Sequence, residues 1–371
     1  MKRIPSLDGF RAISIAVVIL GHLLNGRRNR FELHAFGWNF LDGGLGVFIF
    51  FVISGYLITT LLLREYDKNG SISLKRFYFR RFFRIVPPLY AYILFVVLIG
   101  PLAGLRAEPK EVLVALTFTR NLDFHAHQFM FEHFWSLCIE EQFYLLWPLA
   151  LLLALHWKGR KGATRLAIAL IILAPIFRVA TYPLIHSQPF RHFIDGLLPG
   201  HMDALMFGCW ASLAEKTPKF ELLYKRVTRF VWFLPIWFFG VSEYLTIRIG
   251  NEYSLSIGQT LDGIAVVFMI LWATRNADSI AGRILNWRPV VHIGVISYSI
   301  YIWQTWFLHP ANHTVVAQLP WNLLCILAAA EFSWHVIERA SRWMRDRWEP
   351  VLFASSRQLV PARQGTTAIP E

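Results

Sequence analysis

Charge is what this sequence has least of. Asp, Glu, Lys and Arg make up 16% of its 371 residues, against about 25% in soluble chains. With 55% apolar residues and a mean hydropathy of +0.43, the chain has too little polar surface to enclose such a core in water. A set of soluble domains is excluded. Acidic residues are scarcer than basic ones, 24 against 37, which leaves a formal net charge of +13. Cysteine is nearly absent: Cys138, Cys209 and Cys325 fall in three separate apolar stretches. That excludes a disulfide framework or a cysteine metal site. Internal repeats, low-complexity tracts and linkers are missing too. The basic excess is scattered over short segments without a recognition module, which argues against nucleic acid as a partner.

What the sequence has instead is long hydrophobic runs. A spanning helix needs roughly 17–25 predominantly apolar residues. Residues 44–63 and 85–105 contain no charge at all. Runs at 134–155, 166–185, 197–214, 230–247, 255–274, 290–308 and 319–337 each carry one to a few polar or ionisable groups. The first run, 12–24, reaches spanning length only if it begins near Leu7, which places Arg11 inside the bilayer. The opening residues resemble a secretory signal, with Lys2 and Arg3 before an apolar core. Arg11 interrupts that core and no small-residue cleavage site follows, so the segment is read as a retained helix.

Lys and Arg test the count of ten. With the N-terminus inside, 27 basic residues fall in inside segments and 9 in outside loops, with Arg11 between them. Such an excess marks the cytoplasmic side. The expected fold is an all-α polytopic bundle of about ten transmembrane helices with both termini cytoplasmic, in contact with membrane lipid. Residues 64–84, basic and aromatic, read as a segment lying on the inner surface. Residues 346–371 read as a disordered cytoplasmic tail after a membrane domain at 1–345. The loop at 106–133 faces outward. Its His125, His127 and His133, near Asp123 and Glu132, are read as solvated rather than as a zinc site.

Ionisable groups at bilayer depth are functional candidates by default. Arg11 and His22 are eleven residues apart, which at ~3.6 per turn returns to nearly the same helix face about 16 Å along the axis. One stripe then holds a cation near the inner end and an imidazole near the outer end. Glu140, Glu141, His201, Asp203, Glu243, Asp262 and Gln304 are expected in the outer half, and Arg178 near the middle. Arg80, Arg81 and Arg84 cluster at the inner mouth, with Arg81 and Arg84 sharing a face. Pro87 and Pro88 suit a first helical turn. Guanidinium groups at a helix start suit phosphate, though ordinary inner-surface anchoring explains them equally well from spacing alone.

Taken in order, several blocks resemble the acyltransferase 3 family of integral membrane acyltransferases: Leu7-Asp8-Gly9-Phe10-Arg11 with His22; residues 50–58; Arg80 to Pro88; Trp135-Ser136-Leu137-Cys138-Ile139-Glu140-Glu141-Gln142-Phe143-Tyr144; residues 296–303; and Ile337-Glu338-Arg339. The chain departs from the family pattern at Phe48, His201, Gln304 and Ala340. The resemblance implies a bacterial inner-membrane enzyme in standalone form. Its co-substrate would be acyl-CoA, acetyl-CoA foremost, its acceptor a carbohydrate or glycoconjugate hydroxyl, and no metal would take part. On this reading His22 is a general base, assisted by Arg11 and by Glu140 or Glu141. Arg80, Arg81 and Arg84 hold the coenzyme A phosphates, and Trp135, Ser136, His201 and Asp203 face the acceptor. The competing class is a transporter or flippase of lipid-linked sugars. Oligomeric state is not legible.

Overall fold

The computed structural model describes residues 4–25, 42–123, 129–186, 193–194 and 196–353. Among these residues the regular elements are all helical. A helix satisfies its own backbone hydrogen bonds, as a segment must where no water is present to do so. The principal helices are α1 (Pro5–Asn25), α2 (Gly43–Asn69), α3 (Leu74–Ile99), α4 (Pro109–Leu116), α5 (Phe134–Thr181) and α6 (Leu198–Ala214). They continue with α7 (Pro218–Thr228), α8 (Gln259–Arg275), α9 (Arg288–Leu308), α10 (Trp321–Phe332) and α11 (Arg339–Phe353). The long α5 is two helices in sequence, since Lys158 and Gly159 leave helical geometry between them. Between α7 and α8, Phe233–Ile236 and Ser242–Ile249 flank a π-helical turn at Trp237–Val241.

Each of the ten apolar runs falls on helix, but fewer helices meet the length and apolarity of a span. Five do, at Pro5–Leu24, Gly43–Asn69, Leu74–Ala103, Phe134–Leu184 and Ser254–Arg275, or six if the bent pair Pro218–Thr228 and Phe233–Ile249 is one span. The shortfall from ten has physical sources. The two parts of α5 form one element. α6 has 17 residues and α10 only 12 before the π-helical turn at Ser333–Glu338. α9 spends apolarity on Ser297, Tyr298, Ser299, Tyr301 and Gln304, most of them buried inside the bundle. Outward, Leu94, Leu98, Leu102, Leu145, Leu153, Leu173 and Ile176 are exposed, as a lipid-facing surface requires.

α1 lies at the centre of the site-bearing helices, seated against α2 and α9. A Cβ built on Gly294 would stand 1.8 Å from the carbonyl oxygen of Asp8, and one on Gly46 would stand 2.3 Å from that of Ser14. Both contacts are closer than any side chain permits, so the helices meet backbone to backbone. Small residues serve this purpose in membranes, where neighbouring lipid tails remove the hydrophobic drive for helices to associate.

Two carboxylates, Asp203 and Glu349, anchor ion pairs between helices. Arg178 of α5 reaches Asp203 of α6 at 2.8 Å, both fully buried or nearly so. Arg76 and Arg80 of α3 both reach Glu349 of α11 at 2.5 Å. Glu349 lies just past the expected domain boundary at residue 345. Helix continues to Phe353, because α11 packs along α3, and only the remainder of the expected tail, 354–371, lies outside the described residues.

The seat of α1 yields a measurable expectation. Gly294→Ala forces α9 away from Asp8, and overpacking of this kind costs about 1–3 kcal/mol. Thermal unfolding in detergent should shift several degrees downward. An unchanged midpoint would show that the two helices part without cost.

Candidate active site

Three cavities follow one another along α1. At the His22 end lies a cavity of about 740 Å³ lined by His22, Val47, Trp135 and Tyr301, with Asp42, Glu132, His133, Thr305 and His309 around it. His22 is exposed to this space. A narrow cavity of about 60 Å³ follows, lined by Arg11, Val47, Phe50, Phe51, Ser54, Ser136, Glu140, Tyr298 and Tyr301. The third, about 260 Å³, opens among Asp8, Arg11, Ser54, Arg81, Arg84, Tyr144, Trp334, Glu338, Arg342 and Arg345. Neighbouring cavities share walls. Val47 and Tyr301 line the first two, and Arg11 and Ser54 the last two. The stripe of α1 that carries Arg11 and His22 therefore faces a continuous series of cavities.

Beside the apolar side chains of Val47, Phe50, Phe51 and Leu137, the narrow middle is lined by hydroxyls, Arg11 and the carboxylate of Glu140. Ser54 Oγ donates to Glu140 Oε1 at 2.7 Å, and Tyr144 OH donates to Ser54 Oγ at 3.1 Å. Glu140 and Tyr144 are about one helical turn apart on α5, so both meet α2 on the same face. Ser136 Oγ and Tyr301 OH are 2.6 Å apart, and Tyr301 OH donates to the His133 carbonyl at 2.8 Å. Arg11 comes up from α1, and its buried Nε has no partner.

The third cavity is cationic. Arg11, Arg81, Arg84, Arg342 and Arg345 line it, against the carboxylates of Asp8 and Glu338. Arg81 lies over the Tyr144 ring at 5.0 Å. Arg342 lies 3.8 Å over the Trp334 ring and 3.2 Å from Glu338, which also accepts from Ser299 at 2.7 Å. Planar guanidinium groups held this way suit phosphate oxygens.

The residues singled out in the sequence divide accordingly. His22, Arg11, Glu140, Arg81, Arg84, Trp135 and Ser136 line the three cavities. Arg80 does not: it turns to Glu349, a consequence of lying about 100° round the helix from Arg81. Asp203 is held in a two-pronged contact by Arg178, with Thr260 donating at 3.1 Å, and lines none of them. His201 packs its ring against Trp135 at 5.2 Å and Phe51 at 6.0 Å. Glu141 borders none of the three cavities. Phe48 packs on Phe238, and the fully buried Gln304 leaves both amide atoms without a partner. His125 and His127 lie outside the described residues. Among the described residues, no group of three or more His, Cys, Asp or Glu is placed to hold a metal.

One pairing differs from expectation. Glu140 sits with Arg11, not beside His22, because six residues of helix carry it about 9 Å inward from Phe134. The carboxylates lining the His22 cavity are those of Asp42 and Glu132. The sequence reading also missed Ser54, Tyr144, Tyr298, Tyr301, Glu338, Arg342 and Arg345 as site residues. Helical spacing was the available signal: Glu140–Tyr144, Tyr298–Tyr301 and Glu338–Arg342 each share a face.

Residues 4–333 match the model of a family described as an acyltransferase domain. Relatives include the peptidoglycan O-acetyltransferase OatA of Listeria monocytogenes, 30% identical over 92% of this chain and 56% of that protein. Another is the O-acetyltransferase OatA of Staphylococcus aureus, 31% identical over 92% of this chain and 57% of its own length. The chain thus spans about half the length of these curated relatives. No solved structure matches it. A family match running through nearly all the helices that build the cavities makes this chain a member of the acyltransferase 3 family.

Proposed function

We propose that the protein transfers an acyl group, acetyl foremost, from acyl-CoA to a hydroxyl of a carbohydrate, with a peptidoglycan-type glycan the first candidate. The observation that carries this is the run of cavities with shared walls, cationic at one end and imidazole-lined at the other. The relatives' names, peptidoglycan O-acetyltransferase and O-acetyltransferase, supply the acceptor class. The excess of Lys and Arg on segments continuous with the cationic end supports a cytoplasmic placement there. Donor would then enter from the cytosol and acceptor from the opposite face.

On this reading Arg81, Arg84, Arg342 and Arg345 hold the donor's phosphates, while Arg11 stands where the acyl arm enters the narrow middle. The acceptor hydroxyl oxygen attacks the thioester carbon, a C–O bond forms, and the C–S bond breaks. His22 takes the hydroxyl proton and returns it to the departing thiolate. Imidazole is suited to both steps because its ordinary pKa of about 6.5 lies close to the working pH. Ser54, Glu140 and Tyr144 fix the middle of the path by hydrogen bonds, so the arm meets a preformed polar wall.

Two outcomes follow. In proteoliposomes supplied with acetyl-CoA and a glycan acceptor, His22→Ala should lower kcat by about 10²–10⁴-fold, the usual contribution of such a base; full activity would remove its role. Arg81→Ala and Arg342→Ala should each raise the donor KM by about 10-fold or more, since charge-assisted hydrogen bonds contribute about 1.5–3 kcal/mol. Arg80→Ala should leave the donor KM unchanged and lower thermal stability. Equal donor KM values for Arg80→Ala and Arg81→Ala would place the phosphate site elsewhere.

A further inference from the structure

Two buried polar atoms on residues that line the cavity around His22 have no partner within the protein. The first is Nδ1 of His133. This residue is 3% exposed, and its ring sits among Phe134 at 4.7 Å, Tyr301 at 5.5 Å and Tyr92 at 5.9 Å. Its Nε2 lies 3.1 Å from the carbonyl oxygen of Ile302. A carbonyl only accepts, so Nε2 carries the ring proton and Nδ1 presents a lone pair. That lone pair has no partner. Burial first, and then the neighbouring His22, hold the pKa of His133 down to about 3, so the ring stays neutral and Nδ1 stays an acceptor.

The second is Oγ1 of Thr305, on the same face of α9 as Tyr301 and 8% exposed. A threonine inside a helix commonly gives its hydroxyl to the carbonyl four residues back. Thr117, Thr164, Thr181, Thr228 and Thr246 all do so here. Thr305 does not, and its hydroxyl has no partner. Both atoms belong to residues lining the same 740 Å³ cavity as His22. Buried polar groups are satisfied in the great majority of native structures. Two orphans around one cavity indicate a ligand that supplies the missing bonds.

From this geometry we infer that His133 Nδ1 and Thr305 Oγ1 form a hydroxyl-recognition pair that holds the carbohydrate acceptor beside His22. The inference rests on the acyl-transfer reading above and names the acceptor-binding atoms of that site. The ligand must donate to Nδ1, which a sugar hydroxyl does, and must offer a second polar group to Thr305. The carboxylates of Asp42 and Glu132 line the same cavity, which favours a neutral polyol over an anionic one. Neither residue takes the proton. Both position the acceptor, so their removal should weaken acceptor binding and leave the donor side intact.

The test uses the full chain in lipid nanodiscs with an N-acetylglucosamine oligomer as probe. Binding of the oligomer is measured without donor, and acceptor and donor KM values are measured with acetyl-CoA. His133→Gln keeps a donor for the Ile302 carbonyl and lacks the acceptor at the Nδ1 position. It should weaken oligomer binding and raise the acceptor KM by about 10-fold, with the donor KM unchanged. Thr305→Val, of the same shape, should raise the acceptor KM several-fold. His133→Asn places an amide oxygen near the position of Nδ1 and should recover part of the affinity. Wild-type oligomer affinity and acceptor KM in both His133→Gln and Thr305→Val would overturn the proposal. Oligomer binding lost in His133→Gln, with no acylation even by the wild type, would support the recognition pair and sink the transfer reading alone.

Discussion

The fixed seat of α1 is the constraint on which the site depends. Gly294 meets the backbone at Asp8 and Gly46 meets it at Ser14, each at a distance that admits no Cβ. Near the other end, a Cβ on Gly21 would stand 2.3 Å from the backbone nitrogen of Gly43, a third approach of the same kind. A helix gripped at three depths can neither slide nor rotate. In lipid such packing must supply what hydrophobic exclusion supplies in water. Arg11 and His22 therefore keep their depths without any side-chain contact between them, and the cavities can open along their stripe.

Charge placement follows from that frame. Arginines that tie the fold each reach a carboxylate: Arg76 and Arg80 share Glu349, Arg178 has Asp203 and Arg160 has Asp67. Those lining the third cavity are not balanced in the same way, since five guanidinium groups face the carboxylates of Asp8 and Glu338. Concentrating unbalanced cations in a low-dielectric recess costs stability, a cost an anionic ligand offsets on binding. The contrast between Arg80 and Arg81, adjacent in sequence, separates the clamp from the recess by one step of helical rotation.

Much of this was legible beforehand. The helical class came from run length and apolarity, and the Arg11–His22 stripe from eleven residues of helix. What was illegible was rotation and contact between helices. Arg80 reads like its neighbours until α11 supplies Glu349, and no local pattern ties residue 80 to residue 349. Asp203 looks like a site acid until Arg178 arrives from another helix. Ser54 and Tyr301 lie in family-like blocks but carry no charge to mark them as site residues, yet they form the shared walls between cavities. α9 is the reverse case, since the polarity that lowers its apolarity as a span is the polarity that lines the site. His133 was noticed only as one of three loop histidines. Its importance lies in a tautomer fixed by a carbonyl 169 residues away.

The narrow middle, finally, explains why the two ends differ so much. The middle cavity, about 60 Å³ between chambers of about 740 and 260 Å³, is the narrowest part of the path. On the acyl-transfer reading only the thin acyl arm enters, from the cationic side, while the glycan stays in the wider chamber. Phe50, Phe51 and Leu137 on its wall keep bulk water from the thioester, whose hydrolysis is the competing reaction. The hydroxyl that His22 deprotonates is then the one held beside it, and the choice of sugar falls to the wide chamber. On this reading each end is specific for one substrate because the two meet only across the narrow middle.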